Sequence, residues 1–163
     1  MTARLTYSLG LIIVVLLLLA SLYLQIFDGI MPCPLCALQR VMFAFLGVFF
    51  LFGILLHKKY WGRIIIHCFS ILASLLGLFL AGRQIWLQHF KTSLGECGVS
   101  IQYMMQILPL HQVLQKIVEG SAECTKQDWT FLSINMAEWA FIWFIVFLCM
   151  SLYLFIKELR ISR

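Results

Sequence analysis

The sequence predicts an all-α membrane protein: a four-transmembrane-helix bundle with a short interfacial helix in its second outer loop. Two observations carry this. First, the 163 residues are 63% hydrophobic and only 12% charged, against about 25% charged in a soluble domain, and the mean hydropathy is +0.97. A soluble core this small cannot hide so much apolar surface, so lipid must be the solvent for much of it. Second, the charges are clustered. Asp, Glu, Lys and Arg are absent between Arg4 and Asp28, Arg40 and Lys58, Arg63 and Arg83, and Glu138 and Lys157.

Each gap is close to the roughly 20 apolar residues that a spanning helix needs. The expected spans are 6–26, 37–56, 64–86 and 138–156 in a single membrane domain, 1–163, with outer loops 27–36 and 87–137. The runs are continuous and lack the short alternating segments of a barrel. The first, LGLIIVVLLLLA after Arg4, is too long for the core of a signal peptide, and three more follow.

Orientation follows from the basic residues. Four spans put both termini on one side, with Arg4, Lys58, Lys59, Arg63, Lys157, Arg160 and Arg163. The other side has Lys91, Lys116 and Lys126, with Arg40 and Arg83 at span ends. The termini are therefore expected to be cytoplasmic, in a bacterial-type inner membrane. The net charge of +5 is then a topology signal. No basic stripe interleaved with aromatics points to nucleic acid.

Four of the six cysteines fall in outer loops. Cys33 and Cys36 form PCPLC in the first, and Cys97 and Cys124 lie in the second. Disulfides form and persist on that side, and two pairs on one face point to dithiol–disulfide exchange. A zinc site usually needs two short Cys/His units, and only one is present. Two purely structural disulfides are the other alternative, although a Cys-X-X-Cys pair more often belongs to a redox motif. Cys68 and Cys149 fall inside spans and read as small packing residues.

Pro32 and Pro34 bracket Cys33, and proline is at home in the first turn of a helix. Span 2 is thus expected to start near them, with Cys36 in its first turn, where the helix dipole favours a thiolate. Arg40, four residues on, shares that helical face. It would stabilise negative charge on Cys36 or on a bound ligand; the alternative is a boundary residue snorkelling to the interface. Arg83 and Gln84, near the outer end of span 3, carry the same choice between ligand contact and a boundary or interhelical role.

In the second outer loop, Ile101, Met104, Met105 and Leu108 fall on one helical face, and Val113, Leu114, Ile117 and Val118 continue it beyond Pro109. An interfacial helix is expected there. Asn135 suits a helix N-cap and Glu138 the first turn that follows. Trp139 and Trp143 suit the outer aromatic belt.

Together PCPLCALQR, AGRQIWLQ, GSAECTKQDWTFL and the four spans resemble the DsbB family of membrane disulfide-forming proteins over nearly the whole chain. The resemblance implies a thiol:quinone oxidoreductase. Cys97 would be attacked by a reduced periplasmic thioredoxin-fold oxidase similar to DsbA, and Cys124 would resolve the mixed disulfide and relay to Cys33. Cys36 would be the thiol nearest the quinone, ubiquinone or menaquinone, with Arg40 stabilising the charge that builds there. Arg83 and Gln84, from their place in span 3, are the further candidates for quinone contact. Some relatives carry histidine where this chain has Gln84, and Pro34 is a variation within the motif. Two other classes compete: a four-helix enzyme of the vitamin K epoxide reductase type, whose Cys-X-X-Cys lies in the last spans, and a non-catalytic tetraspan whose disulfides only staple its large loop.

Overall fold

The computed structural model describes residues 3–27, 33–56, 60–90, 109, 112 and 130–161. Four long helices dominate: α1 (Ala3–Phe27), α2 (Pro34–Leu55), α3 (Tyr60–Phe90) and α4 (Met136–Ile161). All four are long and apolar enough to cross a membrane. Helices suit that setting because each satisfies its own backbone hydrogen bonds where no water can. The large exposed side chains confirm the solvent: Leu16, Phe27, Phe79 and Trp61 all point out of the bundle, a pattern that lipid tolerates and water does not.

Inside the bundle α1 packs on α2, α2 on α3, and α3 most extensively on α4. The α3 face toward the interior is built from small residues, Ser70, Ala73, Ser74, Gly77 and Ala81, which let neighbouring helices approach closely. Gly77 accommodates Phe144, whose ring would lie 2.2 Å from a Cβ added there. Phe144 in turn stacks on Phe43 of α2, with ring centroids 4.1 Å apart. At the end of the bundle that holds the termini, Tyr7 Oη and His67 Nε2 are 3.0 Å apart and join α1 to α3. Arg63 and Glu158 pair at 2.7 Å and join α3 to α4.

A small hairpin precedes α4, with β1 (Thr130–Phe131) antiparallel to β2 (Ile134–Asn135). Its turn residues Leu132 and Ser133 both have positive φ, 54° and 65°, as a tight two-residue hairpin turn demands. Neither is glycine, so the sequence gives no warning of it. Asn135 then starts α4 with a reciprocal cap. Its Oδ1 accepts from the Glu138 N–H at 2.9 Å, and its own N–H donates to Glu138 Oε2 at 2.8 Å. This is the cap and first-turn acid that the sequence predicts, arranged as a capping box.

The expected interfacial helix lies outside the described residues except at two positions. There, Gln112 N–H donates to the Pro109 carbonyl at 2.9 Å.

Candidate functional site

The site begins with how α2 begins. Pro34 occupies the first turn, where its missing N–H costs nothing and its fixed φ already matches the helix. Cys33 is the N-cap, with extended backbone (φ −65°, ψ 161°). Its carbonyl accepts from the Ala37 N–H at 3.0 Å, and its sulfur accepts from the Cys36 N–H at 3.4 Å. The expected span 2 starts at 37, and the helix starts at Pro34, which puts Cys36 in the first turn. One turn of helix brings the two Sγ atoms to 3.0 Å. A disulfide bond measures about 2.05 Å, so a small approach of the two sulfurs would join them. Cys33 is buried in an apolar nest with Leu35, Leu80 and Leu87.

Cys36 lies at a second boundary. It borders a cavity of about 290 Å³ between α1, α2 and α4. The walls are mostly apolar: Leu17, Leu24, Phe43, Trp139, Ala140 and Trp143 are among them. Its polar side is formed by Ser21, Gln39 and Arg40 beside Cys36. Few precisely placed polar groups in an otherwise apolar hollow is the usual character of a small-molecule site.

Arg40 is fixed by α1. One guanidinium nitrogen donates to Gln25 Oε1 and the other to the Ser21 main-chain carbonyl at 3.1 Å. A residue at the edge of a span is thus turned inward, to the cavity that Cys36 also borders.

Gln84 of α3 meets the same sulfur from the other side. Its Nε2 donates to Cys36 Sγ at 3.0 Å, and its Oε1 lies 3.4 Å from that sulfur. The same Oε1 accepts from Gln39 Nε2 at 2.8 Å. Gln39 and Gln84 are only 4% and 3% exposed.

The structure therefore brings together Cys33, Cys36, Arg40 and Gln84. Arg83, next to Gln84 in sequence, is half-buried on α3, and neither it nor Gln84 is among the residues lining the cavity. Cys97 and Cys124 lie outside the described residues. Cys68 and Cys149, expected to pack inside, are exposed on the outer faces of the helices. In a span whose every face is apolar, a small residue can face lipid as well as a neighbour. Trp139 and Trp143, expected in an aromatic belt, also border the cavity. Sequence reasoning missed Ser21, Gln25 and Gln39. The two glutamines carried a signal, since a polar side chain within a span is by default a functional candidate.

The family model described as "Disulfide bond formation protein DsbB" matches residues 3–154. A disulfide bond formation protein B from Azoarcus sp. (strain BH72) is 38% identical over 76% of this chain and 75% of its own length. One from Methylococcus capsulatus is 34% identical over 88% of each. One from Xanthomonas axonopodis pv. citri is 33% identical over 98% of this chain and 94% of its own length.

Proposed function

The chain belongs to the DsbB family of disulfide bond formation proteins, and from that premise we propose that it is a protein-disulfide:quinone oxidoreductase of a bacterial inner membrane. It reoxidises a periplasmic thioredoxin-fold oxidase similar to DsbA and passes the electrons to a membrane quinone, ubiquinone or menaquinone. Both termini face the cytoplasm, as the asymmetry of basic residues indicates.

The observation that carries this reading is the position of Cys36. Its sulfur is 3.0 Å from that of Cys33 and borders an apolar cavity whose polar wall includes Arg40. An apolar hollow with one cation suits a flat, lipid-soluble ring with oxygens at its edge. A quinone held there would supply a two-electron, two-proton acceptor. Cys33 and Cys36 supply both as they join into a disulfide, so the overall exchange needs no outside proton. Arg40, always charged, favours negative charge on the Cys36 side of the cavity. Trp139, Trp143 and Phe43 keep water out and give a ring a surface to stack on. Cys97 and Cys124 carry the exchange with the periplasmic partner, attack falling on Cys97 and resolution on Cys124. That assignment is supported by family membership.

The test uses purified full-length protein in detergent, a reduced thioredoxin-fold partner and a soluble quinone, with quinone absorbance followed for the wild type and Cys36→Ser. The expected result is quinone loss in the wild type that the substitution abolishes. No quinone loss in the wild type, with a partner shown separately to be competent, would favour a non-catalytic tetraspan instead.

A further inference from the structure

A carboxamide has two different ends, and which end faces a sulfur decides what it does there. Gln84 presents its Nε2 to Cys36 Sγ at 3.0 Å. Nothing in Gln84 alone sets that orientation, because a half-turn about its last bond would exchange nitrogen and oxygen. Gln39 is coupled to that choice. Its Nε2 donates to Gln84 Oε1 at 2.8 Å. With Gln39 held as it stands, a flipped Gln84 would put two NH2 groups face to face, both donors and both on buried residues.

We propose that Gln39 is a positioning residue: it fixes the Gln84 carboxamide with its NH2 toward the Cys36 sulfur, and so sets how readily that sulfur carries negative charge. Gln39 reaches Gln84 because it lies three residues after Cys36, on the same face of α2, while Gln84 sits on the buried face of α3 between Ala81 and Leu87. The arrangement serves both states of the sulfur. As a thiol, Cys36 has an acceptor for its proton in Gln84 Oε1 at 3.4 Å. Once the proton leaves, the sulfur is an acceptor only, and the Gln84 NH2 already faces it. Gln84 is thereby assigned to the sulfur and not to a ligand in the cavity, whose lining does not include it. The consequence for turnover rests on the proposed thiol–quinone chemistry, whereas the consequence for the sulfur does not.

The experiment measures the alkylation rate of Cys36 in the reduced full-length protein at fixed pH. It uses a small neutral haloacetamide and peptide-resolved mass spectrometry, with a water-soluble model thiol in the same mixture as the reference. Variants are Gln39→Met, Gln84→Met and the double substitution, Met being close in length and lacking the amide. Each single variant should slow Cys36 about tenfold relative to the model thiol, the loss of one hydrogen bond to a charged acceptor. The double variant should be no slower than Gln84→Met alone, because Gln39 acts through Gln84. An unchanged rate in Gln39→Met overturns the proposal, as does a double variant in which the two losses multiply. If Gln39→Met does not fold, Gln39→Asn carries the same expectation, since it keeps a buried amide but draws it back by one methylene. Failure of the thiol–quinone reading would appear in the quinone assay alone and leave these rates as they are.

Discussion

Arg40 of α2 donates a hydrogen bond to the main-chain carbonyl of Ser21 on α1, across 3.1 Å. With its second bond, to the Gln25 side chain, it clamps α1 to α2 beside the thiol pair. A guanidinium makes two such bonds from one rigid plane, and a lysine ammonium cannot reproduce both. Arg40→Leu should lower kcat/KM for quinone about 10- to 100-fold, the worth of one charge-assisted contact. Arg40→Lys should fall between that and the wild type. Steady-state quinone reduction checks both, and equal losses in Lys and Leu would show that the fork, and not the charge, is what counts.

Cys33→Ser separates capping from redox chemistry. Serine is a good N-cap, so α2 should still start at Pro34 and the thermal midpoint should move little. Without its partner sulfur, Cys36 cannot close a disulfide, and turnover should fall by about three orders of magnitude. Circular dichroism on heating and the quinone assay read the two effects separately.

Ala140 lines the cavity from α4. Ala140→Phe would fill part of that volume with a ring, and the KM for quinone should rise about tenfold or more, as for a ligand denied about 1.4 kcal/mol or more of contact. The thermal midpoint should hold or rise. A normal KM in a folded variant would put the quinone elsewhere.

Gly77→Ala should destabilise the bundle. The added methyl would sit 2.2 Å from the Phe144 ring, and that ring is fully buried and stacked on Phe43. Phe144 itself is 0% exposed and does not border the cavity, so it has no open edge to move toward. The expected loss is about 1–3 kcal/mol, typical of an overpacked core, read as a lower thermal midpoint in detergent.

Tyr7→Phe removes the hydroxyl that pairs with His67 and keeps the ring that packs on Gly53. The expected loss is about 1 kcal/mol, the usual size of an interhelical polar contact in a membrane. Quinone reduction should be unaffected, because this pair sits at the opposite end of the bundle from Cys36.

Local features were legible. Cys36 in the first turn, Arg40 one turn on, and the Asn135–Glu138 cap all depend on residues three or four apart, where helix geometry alone decides what meets. Pairings between helices were not. Gln39 and Gln84 are 45 positions apart, and nothing in the chain marks them as partners. Leu132 and Ser133 hid a hairpin turn because neither is a residue that usually adopts positive φ.

By itself the sequence determined an all-α class, four helices long and apolar enough to span a membrane, and a cysteine pair at the start of the second. Lipid enforces the first two, because a long apolar run has no other way to satisfy its backbone, and the third follows from local helix geometry. The tertiary structure decided which faces turn inward: Trp139 and Trp143 to the cavity, Cys68 and Cys149 outward, Gln84 to the sulfur. In a soluble helix the apolar stripe announces its buried side. Here nearly every face is apolar and lipid accepts them all, so the buried side is chosen by fit: a glycine under a phenylalanine, a guanidinium against a helix carbonyl, one amide against another.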